Sequence, residues 1–310
     1  MESKPSPFRK WLMAIRPQTL PAAAGPVIVG TALAIDSSYF APLVAFLALL
    51  GAEFIQIGTN LANDYFDAAK GVDTEDRDGY TRVTQSGLIS PNHVRIATAV
   101  AYGLAAAAGV YLVYLGGLPI LIVGIASIIS GLAYTGGPFP FGYYGLGELF
   151  VFAFFGVVAV TGTYYVQAVK HLGTIFPLSI PAGSFNTDVL LASLPMAALS
   201  TAILVVNNLR DIETDRETGK TTLAVRLGYR GSRAEYFFML ILAYLVPFYF
   251  LFAGREGLSI LLPLATIPYA YQAWKIVKNN KTGKKLNRAL EYTGKLLVLY
   301  ALFFSTGFLI

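Results

Sequence analysis

Nine segments of mostly apolar residues constrain the fold of this chain more than any other feature. They lie at 18–36, 41–66, 95–115, 117–135, 146–168, 187–210, 233–253, 257–277 and 291–310. Each approaches the roughly 20 residues that a helix needs to cross the hydrocarbon core of a bilayer. Because only helices or closed barrels satisfy their backbone groups in lipid, and these segments are far too long for barrel strands, the sequence predicts an all-α integral membrane protein. We expect a bundle of about nine transmembrane helices.

The distribution of basic residues predicts the orientation of this bundle. With the N-terminus in the cytoplasm, 20 of the 23 Lys and Arg residues fall in inside segments. Only Lys170 and Arg255 fall in outside loops, and Lys295 lies within the last span. This asymmetry is a strong positive-inside signal. We expect a multi-pass protein of a bacterial or archaeal-type cell membrane, with its first span retained and its polar motifs on the cytoplasmic side.

Two polar stretches, at residues 56–82 and 207–228, follow the second and sixth spans. The first carries Asn60, Asn63, Asp64 and Asp67 at helical spacing, and the second carries Asn207, Asp211 and Asp215. Residues three or four apart share one face of a helix. A single acid here could be a solvated helix end, but N-x-x-x-D occurs in both stretches, and carboxylates this close to lipid are expensive and by default functional. We expect the two stretches to face each other across a central cavity, in one domain spanning residues 1–310.

The residue types predict magnesium and diphosphate chemistry. The chain has no cysteine and two histidines, so a metal must be held by oxygen, which favours Mg²⁺. The candidate metal ligands are Asn60, Asn63, Asp64, Asp67, Asp73, Asn207, Asp211 and Asp215. The candidate diphosphate-binding residues are Lys70, Arg77, Arg82, Arg216 and Lys220. Such a site suits ionisation of a polyprenyl diphosphate and then carbon–carbon bond formation, with Asp67 and Asp211 as the central carboxylates.

The loop from Tyr134 to Glu148 is the candidate binding surface for an aromatic acceptor. It contains no Lys or Arg and is rich in glycine and aromatic residues. Aromatic faces stabilise cations, so we place Tyr134 next to the reacting carbons as a third catalytic residue. An aromatic belt at the membrane interface is the alternative for this loop.

Several blocks of sequence resemble the UbiA superfamily of intramembrane prenyltransferases, and most closely its 1,4-dihydroxy-2-naphthoate branch in menaquinone biosynthesis. They include RPQTLPAA at Arg16–Ala23, QIGTNLANDYFDAAKGVDTEDR at Gln56–Arg77, YTGGPFPFGYYGLGE at Tyr134–Glu148 and NNLRDIETDRETGKTTLAVRLG from Asn207. The resemblance implies nine helices around a central cavity, with two cytoplasmic cap loops. It implies Mg²⁺ held by Asn60, Asn63, Asp64, Asp67, Asp211 and Asp215.

The implied substrates are a polyprenyl diphosphate and 1,4-dihydroxy-2-naphthoate, with release of diphosphate and CO₂ to give demethylmenaquinol. Arg16 and Gln18 are either interface anchors or, by the resemblance, neighbours of the acceptor's carboxylate. The expected partners are these substrates and the lipid bilayer, and nucleic acid is not expected. The alternatives are another aromatic acceptor, such as 4-hydroxybenzoate, or an ion-coupled secondary transporter. A transporter would place its acids near the bilayer midplane in broken helices, whereas these acids lie at span ends beside cations.

Overall fold

The computed structural model describes residues 5–71, 82–281 and 283–310, and within these ranges it contains helices and no strands. The prediction of an all-α fold is confirmed. The α-helices are α1 Pro7–Ile15, α2 Pro21–Asp36, α3 Pro42–Lys70, α4 Pro91–Ala133, α5 Gly147–Phe152, α6 Ala159–His171, α7 Thr187–Arg210, α8 Ile212–Glu217, α9 Leu223–Phe252, α10 Ile267–Asn279 and α11 Lys284–Leu309.

The expected count of nine spans is approximate. Among the described residues, six helices are long and apolar enough to cross a membrane, or seven if Pro7–Thr19 and Pro21–Asp36, bent by 47°, form one span. Helix α4 covers two of the expected spans, 95–115 and 117–135. Gly117 separates them, because its φ of 64° and ψ of −149° are not helical. A Cβ atom at Gly117 would lie 2.0 Å from the carbonyl oxygen of Pro177. The eighth expected span is a 3₁₀ segment, Leu258–Thr266, followed by the short helix α10.

Helix α7 lies at the centre of the bundle. In its most apolar 18-residue window, 72% of the residues are buried, a larger share than in any other candidate span of the described residues. It packs against α9, α11 and the segment between α5 and α6. Two buried tyrosines of this core have hydrogen-bond partners: the Tyr236 hydroxyl lies 2.8 Å from the Thr293 hydroxyl, and Tyr300 donates to the carbonyl of Ala243 at 2.6 Å.

The outer surface of the bundle suits lipid. Helix α4 exposes Val110, Ile122, Ile125 and Ile129, each by more than half of its surface. Contiguous apolar surface of this kind is rare on soluble monomers. The protein is therefore a multi-pass membrane protein.

A π-helical segment, Ala153–Val158, joins α5 to α6 and lies against α7. Gly156 makes this approach possible, because a Cβ atom there would lie 2.1 Å from the Cα atom of Ala197. Such π segments occur frequently at functional sites. Here the segment carries Phe154 and Phe155, which line the cavities described below.

Substituting Gly156→Ala is expected to lower the stability of the folded protein by about 1–3 kcal/mol, because α7 would have to move away from the π segment. Thermal unfolding in detergent, followed by circular dichroism, measures the effect. Gly103→Ala is the matched control, since Gly103 lies in α4 and a Cβ atom added there would have no heavy atom within 4 Å. Equal midpoints for both variants would show that the close contact does not limit packing.

Candidate active site

A polar cavity of about 710 Å³ lies where the two sequence motifs meet. The first motif contributes Asn60, Asn63 and Asp67 from α3, and the second contributes Asn207, Asn208, Asp215 and Lys220. Residues of both motifs therefore line one cavity. The volume is typical of cavities that bind small molecules.

Asp67 is a carboxylate of this cavity with three side-chain partners. The Arg82 guanidinium donates to its Oδ2 atom at 2.8 Å, and Lys220 Nζ lies 3.5 Å from its Oδ1 atom. The Tyr143 hydroxyl also donates to Oδ1. Asp67 is only 1% exposed, so these ion pairs are screened weakly by water. One buried carboxylate thus binds the loop before α4 to the loop before α9.

Two lysines lie close to the ring of Tyr143. Lys220 Nζ is 4.6 Å and Lys70 Nζ 4.9 Å from the ring centroid. Lys70 also donates to the carbonyl of Thr135 at 2.7 Å. Arg82 and Lys220 pair with Asp67, whereas Lys70 is exposed and does not line the cavity but adds positive charge beside them, and this excess of positive charge suits a polyanion.

Loop-to-loop hydrogen bonds hold Tyr143 in place. The backbone N–H of Thr221 donates to the Tyr143 carbonyl at 2.8 Å, and the Arg226 guanidinium donates to the Tyr144 carbonyl at 2.8 Å. The segment from 134 to 147 is thereby attached to the loop that carries Lys220. These contacts fix the relative positions of the aromatic loop and the second motif.

Asp64 does not line the cavity, although it lies on α3 between Asn63 and Asp67. Its carboxylate accepts from the backbone N–H groups of Val83 at 3.1 Å and Thr84 at 2.8 Å. Arg16 lies 3.8 Å from the same carboxylate and reaches the cavity. In this structure Asp64 therefore holds the loop that presents Arg82, and its expected role as a metal ligand stays a prediction.

Asp211 is likewise bound within the protein. Both of its oxygens accept from Arg210, at 2.7 and 2.8 Å, and this pair is almost fully buried. Arg210 also donates to Asn207 and Asn287 at 2.8 Å each. Asp211 does not line the cavity. Its expected metal-binding and catalytic roles stay predictions, and the observed contacts connect α7 to α11.

Arg216 points away from the cavity. It is half exposed and pairs with Glu213 at 2.8 Å on the surface of α8. Asp215, on the same short helix, is 5% exposed and lines the cavity. The structure thus assigns a cavity position to Asp215 and a surface position to Arg216, whose expected contact with diphosphate stays a prediction.

Amide side chains complete the polar wall. Asn60 donates to the Ile15 carbonyl and to Thr19, both at 2.8 Å, and accepts from Gln56 at 3.4 Å. The Asn63 oxygen accepts from the Thr135 hydroxyl at 2.8 Å. Asn60 therefore joins α3 to the N-terminal turn in addition to lining the cavity.

The donor set fits Mg²⁺ as a partner of a phosphate ligand. Asp67 and Asp215 are the two carboxylates of the motifs that reach the cavity, and Asn63 and Asn207 also line it. Within the described residues no group of three or more His, Cys, Asp or Glu side chains could hold a metal. Because Mg²⁺ takes one or two carboxylates together with phosphate oxygens and water, such a group is not required. Asp73 and Arg77, two further predicted residues, lie outside the described residues.

A second, apolar cavity of about 520 Å³ adjoins the polar one. The two cavities share Thr59, Tyr134, Val151 and Phe155 in their walls. Along the second cavity, Tyr134 meets Phe141 edge to face at 5.5 Å, and Phe141 stacks on Phe150 at 3.8 Å. Tyr134 therefore lies at the junction between a charged compartment and an apolar, aromatic one.

Several residues of the polar cavity were not predicted from the sequence as site residues. Tyr269, Glu291 and Lys295 line it from α10 and α11, where the sequence carried no recognisable motif. A charged residue within an apolar span was the available signal. Tyr143 was indistinguishable from an interfacial aromatic, because its contact with Asp67 joins positions 76 residues apart.

Comparison with known proteins identifies the family of this fold. The UbiA prenyltransferase family matches residues 23–303. The chain belongs to the UbiA prenyltransferase family. It is 43% identical over 239 residues to 1,4-dihydroxy-2-naphthoate octaprenyltransferase of Escherichia coli K12, covering 75% of this chain and 73% of that one. It is 37% identical to the protein with the same description from Mycobacterium tuberculosis H37Rv, with 95% of each chain covered.

A solved structure of this family has the same fold. A UbiA homologue from Archaeoglobus fulgidus, described as bound to DMAPP and Mg²⁺, superposes with a TM-score of 0.64 at 17% identity. The superposition covers 97% of this chain and 99% of that one. The resemblance drawn from the sequence motifs is thereby confirmed.

Substituting Asp64→Asn is expected to lower the free energy of unfolding by about 1–3 kcal/mol, because an amide can accept only one of the two backbone N–H groups and leaves the other unpaired. Thermal unfolding in detergent measures this loss. Glu213→Gln is the control, since an exposed ion pair contributes roughly 0–1 kcal/mol. If both variants show the same unfolding midpoint, Asp64 does not hold the Arg82 loop.

Proposed function

We propose that this protein transfers a polyprenyl group from a polyprenyl diphosphate to 1,4-dihydroxy-2-naphthoate, with release of diphosphate and CO₂. The observation that carries this proposal is the junction of the two cavities at Tyr134. A cation-rich compartment that opens into an apolar one matches a substrate with a diphosphate head and a hydrocarbon tail. The described relatives from E. coli and M. tuberculosis support this choice of substrates.

Arg82 and Lys220 bind the diphosphate in this proposal, and Lys70 adds to the positive potential next to them. All three lie around Asp67, so each is positioned before substrate arrives. Positioned cations favour a leaving group whose negative charge grows as the bond to carbon breaks. The Asp67 carboxylate offsets the repulsion between Arg82 and Lys220, whose side chains are both largely buried.

Asp67 and Asp215, with Asn63 and Asn207, are the residues that would hold Mg²⁺. When bound, Mg²⁺ supplies positive charge that neutralises the leaving diphosphate. Support for this metal comes from the A. fulgidus homologue described as bound to Mg²⁺. The remaining metal-ligand candidates, Asn60, Asp64 and Asp211, make contacts within the protein that fix the surrounding loops.

Tyr134 lies where the first prenyl carbon passes from the polar to the apolar compartment. Its ring, ordered by Phe141, stabilises the allylic cation formed when the carbon–oxygen bond breaks. The ring carbon of the acceptor that bears the carboxylate attacks this cation. Loss of CO₂ then returns the electron pair of the carbon–carboxylate bond to the ring, so no base is needed to balance the step.

We also propose that the polar cavity opens towards the cytoplasm. The supporting observation is the excess of Lys and Arg in the segments at this end of the bundle, including those around both motifs. Both proposed substrates carry negative charge, so a cytoplasmic opening would admit them from the aqueous side. The alternative of an ion-coupled transporter is not favoured, because the carboxylates lie beside phosphate-binding cations.

A prenylation assay tests the proposed acceptor. The protein, purified in detergent, receives Mg²⁺, a polyprenyl diphosphate and dihydroxynaphthoate with a labelled carboxyl carbon. Labelled CO₂ and a prenylated naphthoquinol are expected in equal amounts, and chelation of Mg²⁺ should stop both. Prenylated 4-hydroxybenzoate in a parallel reaction, without any naphthoate product, would contradict the acceptor. If neither acceptor gives a prenylated product, the transferase proposal is contradicted.

Tyr134→Ala is expected to lower kcat by roughly 10- to 30-fold, since a desolvated cation over an aromatic ring gains about 2 kcal/mol. Tyr134→Phe should retain most activity because the aromatic face remains. Tyr144→Ala serves as the control, because Tyr144 belongs to the same loop but stacks on Phe139 outside both cavities. Turnover of Tyr134→Ala at the parental rate would remove the ring from the mechanism.

A further inference from the structure

Lys295 is a charged residue within the last span that faces the polar cavity. It lies 11 residues into α11, roughly 16 Å along the helix at about 1.5 Å per residue. Charged residues within transmembrane helices are unfavourable in lipid, and such residues mark substrate pathways by default. Its position on the cavity wall, rather than in the lipid-facing surface, indicates a ligand-binding role.

The packing of α11 separates Lys295 from its core-facing neighbours. Leu296, Leu297 and Tyr300 are fully buried against the bundle, whereas Lys295 is exposed to the cavity. Within the described residues, Lys295 forms no ion pair and no side-chain hydrogen bond. Glu291 lies one turn earlier and also lines the cavity, but the two side chains are not within ion-pair distance of each other. The Lys295 cation thus has no partner among the described residues.

The space next to Lys295 is open. Gly294 lines the same cavity, and a Cβ atom at this position would have no heavy atom within 4 Å. Helix α11 packs against α2, α7, α10 and the turn Pro17–Thr19. The cations around Asp67 enter the cavity from α3 and from the loops before α4 and α9. Lys295 is thus a further cation of this cavity besides Arg16, Arg82 and Lys220, and it lies on α11 next to unfilled volume.

We propose that Lys295 binds the carboxylate of the aromatic acceptor, with the acceptor ring in the open space at Gly294. This inference rests on the proposed function, in which the second substrate is a planar carboxylate. The diphosphate already has Arg82 and Lys220, and Arg16 lies 3.8 Å from the Asp64 carboxylate, so an additional cation on α11 suits a second anion. Holding the carboxylate there would also select acceptors that carry one and fix which ring carbon faces Tyr134.

The test compares binding of 1-hydroxy-2-naphthoate with that of its uncharged amide, 1-hydroxy-2-naphthamide, using calorimetry on the full chain in detergent. The parent protein is expected to prefer the carboxylate by roughly 10- to 100-fold, as one charge-assisted hydrogen bond provides. In Lys295→Met this preference should disappear, and in Lys295→Arg much of it should return. Lys285→Met, which removes a lysine outside the cavity wall, should keep the preference.

Two further variants separate charge recognition from a structural effect. Glu291→Gln should keep the carboxylate preference; loss of the preference there as in Lys295→Met would mean that the two residues act only as a pair. Gly294→Leu should weaken the carboxylate and the amide equally, because it fills the ring's space without changing charge. In turnover assays, Lys295→Met should raise KM for the acceptor and leave KM for the prenyl diphosphate unchanged.

The inference is overturned if Lys295→Met retains the carboxylate preference, or if it raises KM only for the prenyl diphosphate. Failure of the proposed acceptor is a distinguishable result. If the parent protein prenylates 4-hydroxybenzoate and not the naphthoate, the same comparison is made with 4-hydroxybenzoate and its amide. Loss of preference in Lys295→Met would then still support binding of an acceptor carboxylate, although the naphthoate proposal would have failed.

Discussion

The carboxylate of Asp67 connects two parts of the chain that are 153 residues apart. Arg82 approaches it from the loop before α4, Lys220 from the loop before α9, and Tyr143 from the aromatic loop. Burying a carboxylate is unfavourable unless it is paired and hydrogen-bonded. Because these three partners satisfy Asp67, the loops on which they lie are held over one cavity. The arrangement of the polar compartment therefore depends on this one side chain.

The aromatic junction depends on the same contact. Tyr143 reaches Asp67 from a loop whose other end is Tyr134, and Thr221 and Arg226 fix the carbonyls of Tyr143 and Tyr144. On the far side, the π segment brings Phe154 and Phe155 to the cavity walls because Gly156 allows close contact with α7. Two independent contacts thus position the walls of the two compartments around Tyr134. The first is the polar contact between Tyr143 and Asp67, and the second is the close packing of Gly156 on α7.

Much of this arrangement could be predicted from the sequence, because the governing signals are local. Apolar segment length gives a helical membrane bundle, and spacing by three or four places Asn60, Asn63 and Asp67 on one wall. The same rule could not separate Asp64 from Asp67, since the backbone N–H groups that bind Asp64 belong to residues 83 and 84. The rule also could not show that Asp211 pairs with Arg210, because sequence spacing does not show which side chain binds a carboxylate in the folded protein.

Lys295 is a cavity residue that sequence motifs could not predict. It belongs to no motif, and only the packing of α11 on α2 and α7 shows that it faces the cavity. Without a bound anion, a lysine at this depth destabilises the folded protein relative to an apolar residue. In the inference above, binding of the acceptor's carboxylate offsets this cost. Arg82 and Lys220 likewise exceed the charge of Asp67, the one carboxylate with which both pair. In the proposed reaction, these two groups of positive charge would each bind one anionic substrate, with the reacting carbons meeting at Tyr134.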